Sequence, residues 1–241
     1  MKLEERKKLF ANPTGEYRGK PFWSWNGKLE EEELKRQIDV MKEMGFGGYF
    51  MHSRTGLETE YLGEEWFRLI NTCADYGQKE GMESWLYDED RWPSGSAGGI
   101  VTKEEKYRAM FLEMNLLDEK QWENYQEDSG TAAIFACILK DGIFSAKRVL
   151  HTGEELLEGE TVLEFRVRYA KCSDNYNGYT YLDTMNQEAV EKYLESTHEK
   201  YKEHCGERLG TTIQGIFTDE PHRGPVFSTF SDGAENAAPY T

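Results

Sequence analysis

The sequence predicts an α/β fold: a partial TIM-type (β/α)8 barrel, about five of eight strands, carrying an antiparallel β insert. Three observations predict it. A helix-period segment closed by glycine, followed by a short apolar run with polar or charged residues at its end, occurs three times. Two further strand-like runs fit the same scheme. Between them, from about Tyr107 to Asn175, the helical period disappears and only strand-like alternation remains.

In chain order, "KPFWSWNG" reads as the first strand of the parallel series. A helix over about Glu30 to Met44 follows, with Leu34, Ile38 and Met41 on one face and a stop at Gly45. "GGYFMHSR" is the second strand, ending at His52 and Arg54. The next helix, about Glu64 to Lys79, aligns Trp66, Phe67, Ile70, Ala74 and Gly77 and stops at Gly81. "MESWLYDED" is the third strand. Beyond the insert, "GYTYLDTMN" reads as a fourth strand. One helix is then expected over Gln187 to His204, closed by Gly206, and "TTIQGIFTDEP" is a fifth strand ending at Asp219 and Glu220.

Inside the insert, "AMFLEMNLL", "TAAIFACIL", "IFSAKRVL" and "TVLEFRVRYA" are strand-like, and Asp141-Gly142 is a type I′ hairpin signal. The expected organisation is residues 1–106 for the first βα units, 107–175 for the insert and 176–241 for further βα units. An insert of about 70 residues leaves about 170, whereas eight units of ~30 residues need about 240. A closed barrel does not fit. The tail "HRGPVFSTFSDGAENAAPYT" reads as the loop after a strand, so the expectation is part of a barrel. Its open edge calls for the missing C-terminal barrel strands or for self-association.

Composition narrows the function classes. The 241 residues contain 45 acidic and 29 basic side chains, a formal charge of −16, which disfavours nucleic acid and anionic membranes as partners. The 38% hydrophobic content with 6 Trp, 14 Tyr and 12 Phe is enough for a substantial core. Cys73, Cys137, Cys172 and Cys205 are widely spaced without a C-x-x-C pair, the pattern of reduced thiols. With neither a secretory leader nor an apolar run of ~18 residues visible, a cytoplasmic protein is expected.

In parallel sheets, ligands lie at the carboxyl ends of the strands. This chain gathers Trp25, Asn26, His52, Arg54, Asp88, Glu89, Asp90, Asp183, Asn186, Asp219 and Glu220 at those ends. Two carboxyl groups across such a rim suit glycosidic bond hydrolysis, which needs one acid for the leaving oxygen and one carboxylate to attack or to activate water. The same residues also suit a plain loop whose acids cap the next helix. A hard cation such as calcium is a third use for Asp88, Asp90 and Asp219. Trp25, Asn26, His52, Arg54, Trp92 and Asp183 are candidate substrate contacts, because sugars offer C–H faces to aromatics and hydroxyls to polar side chains. Strand alternation equally places Trp23 and Trp85 in a core. The glycines of "PSGSAGG" match neither the P-loop nor the dinucleotide fingerprint, and acids precede them, so a phosphate site is excluded.

Together, "PFWSWNGKLEEEELKRQI", "MGFGGYFMHSRTGL", "WLYDEDRWPSGSAGG" and "GIFTDEP" resemble the catalytic barrel of glycoside hydrolase family 106, the α-L-rhamnosidases and their relatives. The similarity runs in order from Pro21 to Pro221. It implies a (β/α)8 barrel with inserted β elements inside a larger enzyme, hydrolysing terminal α-L-rhamnosides with inversion and aided by calcium. By motif it makes Glu89 and Glu220 the glutamates at the reaction centre; we assign Glu220 as the acid and Glu89 as a base or cation ligand, with Asp88, Asp90 and Asp219 as further candidates. The chain is shorter than the family pattern, lacking the later barrel strands and accessory domains. A non-catalytic sugar-binding or structural fragment is the alternative.

Overall fold

A computed structural model describes residues 2–223 and 237–241. In chain order, the elements are helix α1 (Leu3–Ala11), strand β1 (Phe22–Gly27), helix α2 (Glu31–Glu43), strand β2 (Gly48–Leu57), helix α3 (Glu64–Glu80) and strand β3 (Glu83–Tyr87). Strand β4 (Met110–Leu117), helix α4 (Glu119–Glu123) and strands β5 (Thr131–Lys140), β6 (Ile143–Val149) and β7 (Thr161–Tyr169) come next. Helices α5 (Gln187–Ser196) and α6 (His198–Cys205) and strands β8 (Ile213–Phe217) and β9 (Ala237–Tyr240) complete the series. The chain is mixed α/β and divides into two units. The first comprises Met1–Val101, Asn175–Asn177 and Glu191–Pro221; the second comprises Thr102–Asp174, Gly178–Val190 and His222–Thr241.

The first unit is a four-stranded sheet in the order β1-β2-β3-β8, every neighbouring pair parallel. Its helices form because their apolar residues recur at helical spacing. α2 buries Leu34, Ile38 and Met41, with Glu31, Glu32 and Glu33 in its first turn, where the helix dipole favours anions. α3 buries Trp66, Phe67, Leu69, Ile70, Cys73, Ala74 and Gly77 and ends at Gly81, whose φ of 75° is the left-handed turn that glycine adopts without penalty. Gly77 has a packing reason as well: a Cβ there would lie 2.2 Å from the Tyr49 hydroxyl, which donates to the Cys73 carbonyl at 2.7 Å.

Strand alternation then sorts the aromatics. Trp23, Trp25, Tyr49, Met51 and Leu86 turn to the helices and join one core with Ile38, Trp66, Ile70 and Tyr201. Phe22, Phe50, His52, Tyr87 and Phe217 meet one another on the opposite face, Phe22 remaining 49% exposed. Burying a large apolar side chain such as Ile70 stabilises by roughly 1.5–3 kcal/mol, so this core carries the unit.

The second unit is a five-stranded antiparallel sheet in the order β6-β5-β7-β4-β9. All four strand-like segments of the expected insert are strands. Asp141 and Gly142 have φ of 53° and 75°, as a type I′ hairpin between β5 and β6 requires. Trp122, Ile134, Ala136, Leu150 and Val162 form its core.

Three expectations are corrected. "GYTYLDTMN" is not a strand of the parallel series, which among the described residues has four members rather than five. Its extended part bonds instead to the second unit, Ala109 N–H donating to Tyr181 O and Asp183 N–H to Tyr107 O, both at 2.9 Å. Second, the helix over 187–204 is broken at Thr197, whose hydroxyl donates back to Tyr193 O at 2.8 Å, a bond that bends helices. Third, the tail is more than a loop: Ala237–Tyr240 pairs with β4 at a sheet edge, where Pro239 is tolerated. Residues 224–236, also read as loop, lie outside the described residues. All four cysteines are free thiols, with Cys73, Cys137 and Cys205 buried. No helix among the described residues is long and apolar enough to cross a membrane.

Candidate functional site: an acidic rim

β3 and β8 are adjacent and parallel, so their acidic ends fall on one rim of the first unit. Ser94 ties the two ends together. Its hydroxyl donates to Asp88 Oδ1 at 2.6 Å and accepts from Asp219 N–H at 2.9 Å, while its own N–H donates to Asp219 O at 2.9 Å. Asp88 is fully buried. Thr218 Oγ1 donates to its Oδ2 at 2.5 Å, and His198 Nε2 lies 3.5 Å from the same oxygen. A carboxylate that deep is tolerated because hydroxyl donors replace its water.

Glu89 is also buried, and the loop after β3 closes around it. Its Oε2 accepts from the N–H groups of Gly95, Ser96 and Ala97 at 2.9, 2.7 and 2.8 Å, and its Oε1 from Asp90 and Gly98 at 2.9 and 2.5 Å. The glycine-rich run is thus an anion nest occupied by the chain's own side chain. Burial pushes the Glu89 carboxyl up to about 7, while the backbone donors of Gly98, Asp90, Gly95 and Ala97 oppose that rise. Both carboxylate oxygens are engaged. Asp90 is buried too, held by the Ser53 hydroxyl and by Asn177 Nδ2 at 2.8 Å.

The second acidic tip is arranged differently. Asp219 is half-buried and accepts from the Tyr87 hydroxyl at 2.7 Å. Glu220 is exposed, and its Oε2 accepts from Trp92 Nε1 at 3.1 Å. Its φ of 46° puts a side-chain-bearing residue in the left-handed region, strain of about 1–2 kcal/mol that the surrounding contacts sustain. His52 and Arg54 share one face of β2. His52 is 4% exposed, stacks on Tyr87 with ring centroids 3.5 Å apart, and has no hydrogen-bond partner at either ring nitrogen. Burial, aided by the Arg54 charge, pushes its pKa down to about 3 and keeps the imidazole neutral.

The structure therefore brings Asp88, Glu89, Asp90, Trp92, Asp219 and Glu220 to the carboxyl ends of β3 and β8, in unequal states. His52 and Arg54 do not end β2 as expected but lie within it, because the strand runs on to Leu57, with His52 level with Tyr87 at the end of β3. Trp25 does not belong with them. At 1% exposure it packs edge-on against Trp23 and Trp66 in the helix-side core, because alternation turns it away from the face that carries Asn26. Asn26 is exposed at the end of β1. Asp183 lies in the second unit, where its Oδ1 accepts from Met185 N–H at 3.0 Å.

Calcium was expected on Asp88, Asp90 and Asp219. Among the described residues, no group of three or more His, Cys, Asp or Glu side chains is placed to hold a metal ion. The three carboxylates take hydroxyl and amide donors in this structure. Residues that sequence reasoning passed over are Ser53, Tyr87 as a hydrogen-bond donor, Ser94, Asn177, His198 and Thr218. Tyr87, Ser94 and Thr218 carried a signal, through their nearness to the acids in sequence.

No family model matches the chain, and no curated protein matches it. Among solved structures, it is similar to a rhamnosidase from Novosphingobium sp. PP1Y at 17% identity and a TM-score of 0.37. The match covers 54% of this chain and 13% of that one.

Proposed function

We propose that the parallel unit is part of a (β/α)8 glycoside hydrolase barrel acting on terminal α-L-rhamnosides or closely related sugars with inversion. The observation that carries this reading is the tip of β8. Glu220 is exposed, conformationally strained and oriented by the Trp92 indole, beside an Asp219 fixed by Tyr87. An accessible, oriented carboxyl group next to a second acid is what protonation of a glycosidic oxygen needs. The ordered motif resemblance from Pro21 to Pro221 supports the same reading. Glu220 is the proposed acid. Glu89, with both oxygens engaged, acts by shaping the loop that delivers Trp92 and Ser94. Strands that complete the barrel, from further chain or from a second copy, would pair with β1 and β8, the outer members of the sheet.

A second reading, a sugar-binding module without turnover, is favoured by one observation: Asp88, Glu89 and Asp90 are all buried and engaged, leaving Asp219 and Glu220 as the reachable pair on the described rim. Aryl α-L-rhamnoside and related aryl glycosides, offered with and without a chelator, separate the two. Release of the aryl group that falls about 10²–10⁴-fold in Glu220→Gln supports hydrolysis. Sugar binding without release supports the module, and neither binding nor release overturns both.

A further inference from the structure

His52 presents a problem that the protein's own groups on the rim leave unsolved. A buried polar atom without a partner costs about 1–3 kcal/mol, and His52 carries two, Nδ1 and Nε2. A phenylalanine would stack on Tyr87 as well without that cost. Packing therefore accounts for the ring but not for its nitrogens. Both unpartnered atoms belong to a side chain within β2, lying between Phe22 and Tyr87, the last residue of β3 before the acids.

The surroundings define the missing partner. A neutral imidazole offers one N–H donor and one lone pair, so its complement must both accept and donate. Arg54, exposed two residues further along the strand, is close enough for its charge to act on His52 and Tyr87. The Tyr87 hydroxyl is committed to Asp219, and Glu220 is the next residue. Two carboxylates against one guanidinium disfavour a phosphate or carboxylate ligand. The guanidinium beside the ring, and the lack of a cluster of metal-binding side chains among the described residues, disfavour a metal ion. What remains is a neutral molecule rich in hydroxyl groups.

We propose that His52 is the polar anchor of a monosaccharide subsite on this rim, its two ring nitrogens taking one accepted and one donated hydrogen bond from sugar hydroxyls beside Arg54. This deepens the glycoside reading and rests on it for the class of ligand. His52 is a binding residue here and takes no part in proton transfer to the leaving group.

The test uses the full chain with 15N-labelled histidine, reading the His52 ring nitrogens by two-bond 1H–15N correlation, with the resonances identified by their loss in His52→Phe. The probe is L-rhamnose, with D-glucose, acetate and inorganic phosphate as comparisons. The expected result is a saturable shift of both His52 nitrogens with L-rhamnose and none with acetate or phosphate. Binding should weaken at least about tenfold in His52→Phe and recover in part in His52→Gln, which restores a donor and an acceptor. Should His52→Phe fail to fold, His52→Gln and the wild-type titration still decide. Unmoved His52 nitrogens at saturating sugar, or wild-type affinity in His52→Phe, overturn the proposal and leave a core histidine that bonds only to water. A shift with phosphate alone overturns it in favour of an anion site. Glu220→Gln keeps the two readings apart. Turnover lost there with silent His52 nitrogens leaves hydrolysis standing without this subsite, whereas shifting nitrogens without turnover in the wild type leave the subsite standing without hydrolysis.

Discussion

The acidic tips of β3 and β8 look alike in sequence and differ in structure. Each places an Asp-Glu pair after an apolar strand: "YDED" at Asp88-Glu89 and "TDEP" at Asp219-Glu220. In the first, both carboxylates are buried and engaged. In the second, Asp219 is half-exposed and Glu220 is open to solvent. The difference arises in the residues immediately downstream of each pair. After Glu89 the chain runs into "RWPSGSAGG", whose small residues bend tightly enough to aim four successive N–H groups, Gly95 to Gly98, back at the carboxylate. After Glu220 comes Pro221, which has no N–H to offer. An acid thus becomes scaffold or surface according to the donors its downstream chain supplies.

Four substitutions test that contrast, the largest effect first. Glu220→Gln should lower glycoside turnover about 10²–10⁴-fold while the urea unfolding midpoint stays put, because the side chain is exposed and an amide oxygen still accepts from Trp92 Nε1. A shifted midpoint would erase the contrast. Glu89→Gln should do the reverse at the level of stability. The amide NH2 must face either the two donors at one oxygen position or the three at the other. Leaving two N–H groups unpaired costs about 2–6 kcal/mol at roughly 1–3 kcal/mol each. Chemical denaturation reads this loss, and wild-type stability would show that the nest does not organise the loop.

Ser94→Ala comes next. It removes the hydroxyl that joins Asp88 to Asp219 N–H. It should cost about 1–3 kcal/mol and, by loosening Asp219, depress binding at the exposed tip as well. A change confined to stability would separate the two tips.

The fourth test is a pH slope, small near neutrality and growing as the solution is acidified. The His52 pKa is about 3 in the fold against an ordinary 6.5, so the unfolded chain takes the proton first as pH falls. The His52 contribution is therefore intact above about 6.5 and declines as pH drops towards 3. His52→Gln should flatten the stability profile in that window relative to wild type. Parallel profiles would show that the imidazole is not held neutral.

Legibility in the sequence tracked the range of the interaction. The helical stripes Leu34/Ile38/Met41 and Trp66/Phe67/Ile70 emerged as read, because a period of 3.6 is a local property. The Asp141-Gly142 hairpin did too, since both residues tolerate positive φ. Trp25 was misplaced because alternation shows that Trp23 and Trp25 share a face but not which face the helices cover. "GYTYLDTMN" was misplaced because its extended backbone found Tyr107 and Ala109 as partners, a choice made some 70 residues away in sequence. The break at Thr197 was hidden because the apolar period continues through it.

For the rim, the sequence alone determined that acids follow two apolar strands and that aromatics and a histidine lie on or beside them, since polarity patterning is local; how far β2 runs past His52 was not legible. Only the tertiary structure decided their states. It set β3 beside β8 so that Ser94 could join them, folded the glycine loop onto Glu89, and left Glu220 outside and the His52 nitrogens unanswered. The physical reason is that the state of a carboxylate or imidazole depends on the donors, charges and solvent within a few ångströms, and chain folding alone brings those neighbours together.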